Sequence, residues 1–187
     1  MPDLGEILVD ASAKMAKAIE VAKEDFGAIR TGRAHPGMFS KIMVDYYGTI
    51  TPLSQLASFQ VPEARMALVS PYDKSAMGLI ERAIRESDLG VNPATDGGVI
   101  RVNFPQLTEE RRKDYIKVAR GKAEDSKISI RNIRRAAMDL MAKMEKDGDV
   151  GKDDVARSEK DLEKITTEHV NEIDKLLKHK ESELLEV

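Results

Sequence analysis

Four basic residues recur every seven positions along a segment whose pattern predicts one long helix: Lys113, Arg120, Lys127 and Arg134. The same segment carries apolar and small residues at alternating three- and four-residue spacing, which is a heptad pattern with its a and d positions filled. These seam residues are Ile116, Ala119, Ala123, Ser126, Ile130, Ile133, Ala137, Leu140 and Met144. The basic residues fall at position e, beside the seam. Such a helix could bind an anion along one edge.

Two further arginines, Arg131 and Arg135, widen the positive charge around Arg134. We call these two and the four residues at seven-residue spacing the basic column. Segment 107–135 holds ten Lys and Arg against five Asp and Glu, although the whole chain carries a net charge of −3. The crowding of guanidinium groups within one turn favours phosphate as the anion, because arginine binds phosphate in a bidentate manner.

An alternative explanation is that the basic column pairs with acidic residues of a neighbouring helix, for which Glu163 and Asp174 are candidates. Residues 136–187 hold nine basic and fifteen acidic residues. Periodicity alone leaves both explanations open, whereas the local positive excess and the arginine cluster favour an anionic partner. The segment lacks the aromatic side chains on which single-strand binders stack bases. Nucleic-acid recognition would therefore depend on the backbone and its shape.

Composition argues against several other functions. The 187 residues include no Cys, 34% charged residues and 4% aromatic residues, which is typical of a helix-rich protein. We expect a cytoplasmic protein, because no secretory signal or membrane-spanning run is evident. The three histidines share no metal-ligand spacing, and no nucleotide-binding motif is complete. We therefore expect no enzymatic activity, no cofactor, no metal and no small-molecule substrate.

The order of predicted elements indicates an α+β protein. Long helices are predicted over residues 3–30, 108–146 and about 153–185, and together they would form an antiparallel three-helix bundle. The sequence pattern between the first two helices is different. It predicts strands at 39–46, 65–70 and 99–104 and a helix at 74–87 capped by Asp73. The predicted domains are thus a discontinuous bundle, 1–30 with 106–187, and an inserted β/α/β domain, 31–105.

Two short crossings connect the insertion to the bundle, and their Gly and Pro residues favour a two-strand hinge. Gly32 follows the first helix, where a left-handed backbone is common. The predicted hinge residues are Arg30, Thr31, Gly32, Arg33, Phe104, Pro105 and Gln106.

Five segments, in order along the chain, resemble the ribosome recycling factor family. They are Ile29–Ala34 (IRTGRA), Asp88–Pro93 (DLGVNP), Pro105–Arg112 (PQLTEERR), Ile130–Arg135 (IRNIRR) and Lys178–Leu185 (KHKESELL). The resemblance covers nearly the whole chain, including the insertion. It implies an L-shaped protein that enters the ribosome after termination, contacts large-subunit ribosomal RNA and acts with elongation factor G and GTP to separate the subunits and release messenger RNA.

The resemblance also implies which residues contact RNA. The family's RNA-binding arginines correspond to Arg131 and Arg134, and to Arg30 and Arg33 near the hinge. The full predicted set is Arg131, Arg134, Arg135, Lys127, Arg120, Lys113, Arg30 and Arg33, in a protein expected to act as a monomer. The rival hypothesis is a non-catalytic helical adaptor whose basic column is paired internally. We expect an adaptor to hold Arg134 in a salt bridge and a ribosome-binding protein to leave it unpaired.

Overall fold

The computed structural model of the chain describes residues 2–186, so the terminal residues of the predicted bundle, Met1 and Val187, lie outside the described part. The chain divides into two compact units. The first comprises the residues up to Lys23 together with Ala119–His179, and the second comprises Glu24–Val118 and the residues from Lys180 onward. The predicted domain boundaries, at 30/31 and 105/106, both fall inside the second unit and stay a prediction.

Three long helices form close to their predicted positions: α1 (Leu4–Gly27), α3 (Glu109–Lys146) and α4 (Lys152–Leu185). Helix α1 begins with a capping box, in which Asp3 accepts from the Glu6 amide at 2.7 Å and Glu6 accepts from the Asp3 amide at 2.9 Å. Thr108 caps the N-terminus of α3, because its Oγ1 accepts from the Arg111 amide at 3.1 Å.

The first unit is helical and buries one face of each helix. Its buried residues include Ile7, Ala11, Met15 and Ile19 of α1, Ala123, Ile130, Ala137 and Met141 of α3, and Val155, Leu162 and Ile173 of α4. Helices α3 and α4 run antiparallel, since Lys127 pairs with Asp174 and the later Arg134 pairs with the earlier Glu163. The predicted α+β class with a long helical part is confirmed.

The predicted α3 seam is wrong at one position. Leu140 is 46% exposed, whereas its neighbour Met141 is fully buried, and Ile133 is only partly buried. A helix with about 3.6 residues per turn drifts away from a 3.5-residue repeat, so a strict heptad assignment loses register after several turns. The inward-facing positions accordingly step by four residues twice in succession, from the partly buried Ile133 to Ala137 and from Ala137 to Met141.

The second unit contains two antiparallel sheets and α2 (Met77–Arg85). A hairpin pairs β1 (Met43–Tyr46) with β2 (Thr49–Pro52) through a Tyr47-Gly48 turn whose φ angles of 50° and 87° are those of a tight hairpin turn. The larger sheet has the order β3-β4-β6-β5. Its strands are β3 (Ala57–Glu63), β4 (Met66–Pro71), β5 (Asn92–Asp96) and β6 (Val99–Asn103).

The core of this unit lies between the sheet and its helices. Fully buried residues include Leu53, Val69, Ile80, Ile84, Ile100 and Val102. Phe39 stacks on Phe59 with ring centroids 5.1 Å apart and meets Phe104 edge-on. The helix predicted at 74–87 is divided in the structure. Asp73 caps a 3₁₀ turn, Lys74–Ala76, by accepting from the Ser75 amide at 3.0 Å, and α2 follows this turn directly.

Within the larger sheet, the strands that were not predicted are β3 and β5, and both lie at its edges. Asn92-Pro93 is a dipeptide typical of turns, but both residues belong to β5. Edge strands tolerate proline because one side of the strand needs no ladder hydrogen bond. Their residues are therefore less apolar and less regular than those of the central strands β4 and β6.

Candidate RNA-binding surface

Helix α3 positions the whole basic column, because a spacing of seven residues returns to nearly the same side after two turns. In the first unit the column comprises Arg120, Lys127, Arg131, Arg134 and Arg135, and Lys113 belongs to the second unit. Arg120, Arg131 and Arg135 are exposed, and Arg134 and Lys127 are partly buried. The α3 seam faces the neighbouring helices, which leaves these cations at its border.

Two cations of the column pair with carboxylates of α4. Arg134 Nη2 lies 2.8 Å from Glu163 Oε2, and Lys127 is bonded to Asp174. Glu163 and Asp174 are thus the internal partners that their charge and position in the sequence predict. Arg134 is therefore salt-bridged, which is the state expected for the rival adaptor. The pairing state of Arg134 separates the two hypotheses poorly, because an exposed ion pair contributes only about 0–1 kcal/mol to folding stability and its partners exchange readily.

The remaining column residues are held loosely. Arg131 Nη1 lies 3.4 Å from Glu124 of the same helix, with both side chains more than half exposed. Within residues 2–186 we find no ion-pair partner for Arg135. Lys113 pairs with Glu109 at 3.0 Å, and this contact lowers the pKa of the Glu109 carboxyl. Long, exposed basic side chains of this kind can turn toward a phosphate at a small cost in free energy.

The environment of Arg30 is different, since it is only 4% exposed. Its guanidinium donates to the carbonyl oxygens of Leu89 at 3.1 Å and Gly90 at 3.2 Å, and also to that of Pro105. The group lies over the Phe104 ring, 5.7 Å from its centroid. Burial lowers the pKa of Arg30 below its usual value, although an arginine remains charged in proteins at neutral pH.

Two of the carbonyls that accept from Arg30, those of Leu89 and Gly90, belong to the segment after α2, and the third, that of Pro105, follows β6. Gly90 has a φ of +62°, which favours glycine, and it turns this backbone toward Arg30. Tyr115 of α3 donates to the Asp88 carbonyl at 3.3 Å, next to the two carbonyls that Arg30 binds. Arg30 thus joins the end of the first helical segment to two loops of the second unit. Sequence reasoning missed this role, because nothing in the Arg-Thr-Gly-Arg motif distinguishes the two arginines.

The other predicted hinge residues also lie in the second unit. Thr31 is buried and donates to the Arg33 carbonyl at 3.2 Å, while the Arg33 side chain is exposed. Phe104 is buried, and Pro105 and Gln106 are exposed. The expectation of a left-handed Gly32 is wrong, because its φ is not positive. A Cβ atom there would meet only the Glu186 carbonyl oxygen, at an ordinary 3.7 Å.

No group of three or more potential ligands that could hold a metal ion occurs among the described residues. His35 caps a short 3₁₀ turn by accepting from the Gly37 amide at 3.0 Å, and His169 contacts the Ile165 carbonyl at 2.7 Å. No helix in the described part of the chain is long and apolar enough to span a membrane.

Comparison with known proteins identifies the family. A sequence model of the family described as Ribosome recycling factor matches residues 22–185. The ribosome-recycling factor of Streptomyces avermitilis is 64% identical over 182 residues, which are 97% of this chain and 98% of that protein. The factor of Kineococcus radiotolerans is 62% identical over 184 residues, covering 98% of this chain and 100% of that one.

Solved structures agree with the sequence comparison. The solution structure of a ribosome recycling factor is 35% identical, with a TM-score of 0.75 and full coverage of both chains. A second structure contains the T. thermophilus ribosome recycling factor and the E. coli elongation factor G bound to the E. coli post-termination complex. That factor is 39% identical, with a TM-score of 0.68, and the match covers 99% of this chain and 100% of that one. This chain belongs to the ribosome recycling factor family.

Proposed function

We propose that this protein recycles ribosomes after termination. It binds the post-termination ribosome and, with elongation factor G and GTP, separates the subunits and releases messenger RNA. The observation that carries this proposal is the similarity, over essentially the whole chain, to a recycling factor whose solved complex includes elongation factor G and the post-termination complex. Relatives more than 60% identical over the whole length support the same role.

The basic column supplies the RNA contacts in this proposal. Its exposed guanidinium groups, above all Arg131, Arg134 and Arg135, bind phosphates of large-subunit ribosomal RNA, with Lys127, Arg120, Lys113 and Arg33 as further contacts. Exposure and weak ion pairing support this assignment, because phosphate can replace a surface carboxylate as the partner of arginine. The carbonyl contacts of Arg30 support a positioning role, so its proposed RNA contact stays a prediction.

The inserted domain, 31–105, presents a surface to elongation factor G in this proposal, and the chain crossings at 30–33 and 104–106 act as the hinge. GTP hydrolysis by the partner supplies the energy, and the protein itself acts as a monomer in the cytoplasm without its own catalysis. The bundle remains on RNA while the push of the translocase reorients the insertion.

A second candidate function is a helical adaptor that binds no RNA. The salt bridge between Arg134 and Glu163 favours it, because an internally satisfied column needs no external anion. The two functions differ in how ribosome binding depends on salt. Phosphate contacts weaken steeply as salt rises, whereas an apolar docking contact does not.

Co-sedimentation with vacant ribosomes at low and high salt, followed by subunit splitting with elongation factor G and GTP, tests the proposal. We expect pelleting at low salt that declines as salt rises, and splitting only when all three components are present. Arg131→Ala/Arg134→Ala/Arg135→Ala is the test variant. Lys160→Ala/Lys164→Ala/Lys175→Ala on α4 is the control, because it removes the same charge elsewhere. Ribosome binding that is absent, or is unaffected by both salt and the test variant, would favour the adaptor.

The hinge is tested at Gly32. Gly32→Pro stiffens the backbone at one of the two crossings, and we expect it to slow subunit splitting more than it weakens ribosome binding. Gly32→Ala is the matched control, because the structure has room for a Cβ atom there. A proportional fall of both activities in Gly32→Pro, or normal splitting, would show that this crossing is a passive tether.

A further inference from the structure

The acids that pair with the basic column lie on one side of α4. Glu163 and Asp174 are eleven residues apart, which is close to three helical turns, so they share a face. Their partners Arg134 and Lys127 are seven residues apart on the antiparallel helix α3, which is close to two turns. Both ion pairs therefore link one side of α3 to one side of α4. We call Glu163 and Asp174 the acid pair.

Both acids are accessible to solvent. The Glu163 side chain is 56% exposed beside an Arg134 that is 39% exposed, and Asp174 is 50% exposed beside a Lys127 that is 18% exposed. Neither pair has the burial that makes an ion pair expensive to break. The acid pair thus adds little to folding stability, although it occupies two cations of the proposed RNA-binding surface.

An occupied cation binds RNA differently from an unoccupied one. When phosphate takes Arg134, the Glu163 carboxylate loses its partner and must be neutralised by a cation from solution. That uptake opposes the release of cations from the RNA, which is what drives electrostatic binding and gives it its salt dependence. The carboxylate also remains near the incoming phosphate and repels it. Each member of the acid pair should therefore lower both the affinity for RNA and the slope of that affinity against salt.

We propose that Glu163 and Asp174 are affinity-setting residues, which hold Arg134 and Lys127 in the unbound protein and compete with RNA phosphates for them. The acid pair keeps the basic column from binding arbitrary RNA tightly, and a ribosomal site that presents several phosphates at once overcomes this competition. This inference rests on the proposed function, because it presumes that the column binds ribosomal RNA.

The position of the acids distinguishes this effect from that of net charge. Glu168 is also an exposed acid of α4. It follows Glu163 by five residues, so the two side chains lie about 140° apart around the helix axis. In the described part of the chain it forms no ion pair. Glu168→Gln therefore changes the net charge of the protein as Glu163→Gln does, without releasing a column residue.

The test compares wild type, Glu163→Gln, Asp174→Asn and Glu168→Gln in binding to a short RNA duplex of arbitrary sequence over a range of salt concentrations. We expect Glu163→Gln to bind about two- to fivefold more tightly at low salt, the range that a surface ion pair represents. We also expect its plot of log affinity against log salt to steepen by about one. Asp174→Asn should change both in the same direction, and Glu168→Gln should change them much less.

A double-mutant cycle decides whether the gain passes through Arg134. Adding Arg134→Ala to Glu163→Gln should abolish the extra slope and leave only the part of the extra affinity that comes from the lost repulsion between Glu163 and phosphate. Equal behaviour of Glu163→Gln and Glu168→Gln, or an extra affinity and slope that Arg134→Ala leaves undiminished, would overturn the inference. Vacant ribosomes are measured in parallel with wild-type protein. Salt-sensitive ribosome binding with no difference between the two Gln variants defeats only this inference, whereas an absence of ribosome binding defeats the proposed function.

Discussion

Arg30 and Arg134 are the same type of residue in two different environments. Arg30, in the second unit, is buried over Phe104 and donates to three backbone carbonyls. Arg134, in the first unit, is 39% exposed and forms an ion pair with Glu163, a carboxylate that solvent also reaches. Backbone carbonyls cannot leave their places without the chain moving, whereas a surface carboxylate can rotate away.

The difference indicates two roles for arginine in this protein. A guanidinium that satisfies neutral carbonyls keeps its charge without needing a counter-ion, and it holds together the loops that supply them. A guanidinium paired with an exposed carboxylate can exchange that partner for phosphate. We therefore interpret Arg30 as a positioning residue and Arg134 as a binding residue, and the following predictions test this contrast.

Among the arginines, the largest effect is expected at Arg30. Arg30→Ala should lower the free energy of unfolding by about 2–4 kcal/mol, because it removes several charge-assisted hydrogen bonds and leaves carbonyl oxygens without a donor. Chemical denaturation of the full chain measures this change. Arg33→Ala is the matched control, since the exposed Arg33 side chain should contribute less than about 0.5 kcal/mol. Similar stability of the two variants would mean that the carbonyl contacts of Arg30 are dispensable.

The next effect concerns the helix that carries the column. Ile130→Ala should cost about 2–5 kcal/mol, because Ile130 is fully buried. Ile133→Ala should cost less, since Ile133 is partly exposed along a groove of about 290 Å³ that it lines with Ile7 and Ala11 of α1. Unfolding in denaturant compares the two. A loss for Ile133→Ala as large as that for Ile130→Ala would mean that Ile133 is packed as deeply as the heptad pattern predicts.

The helices could be predicted well because their signals are local and repeated. Asp73, Thr108 and Gly148 mark helix ends through caps or a positive φ, and a long amphipathic pattern fixes the faces to within one residue. Strands β3 and β5 could not be predicted, because a sheet edge is stabilised by its neighbour and makes weak demands on its own sequence. The change from Leu140 to Met141 in the seam depends on accumulated helical twist, which a heptad template omits.

The candidate site was predictable in its residue types but not in their environments. The spacing of the column identified one face of α3, and charge alone suggested Glu163 and Asp174 as partners. The sequence does not show that Arg30 is buried, because its acceptors at 89, 90 and 105 are distant in the chain and are backbone atoms. Every residue has a backbone carbonyl, so the partners of such an arginine cannot be identified from residue types in the sequence.

The smallest effect on stability is expected at Arg134. Arg134→Ala should change the free energy of unfolding by less than about 1 kcal/mol, because its ion pair with Glu163 is exposed. Thermal or denaturant unfolding measures it beside Arg30→Ala. A loss as large as that of Arg30→Ala would make Arg134 a structural residue and remove the contrast between the two arginines.

The salt dependence of ribosome binding tests the central claim most directly, namely that the arginines of α3 contact ribosomal RNA phosphates. The affinity of wild type and of Arg131→Ala/Arg134→Ala for vacant ribosomes is measured over a range of salt concentrations. Each lost phosphate contact lowers the slope of log affinity against log salt by about one, and Glu163 offsets part of this loss at Arg134. We therefore predict weaker binding and a slope reduced by between about one and two. Unchanged affinity and an unchanged slope would contradict the claim.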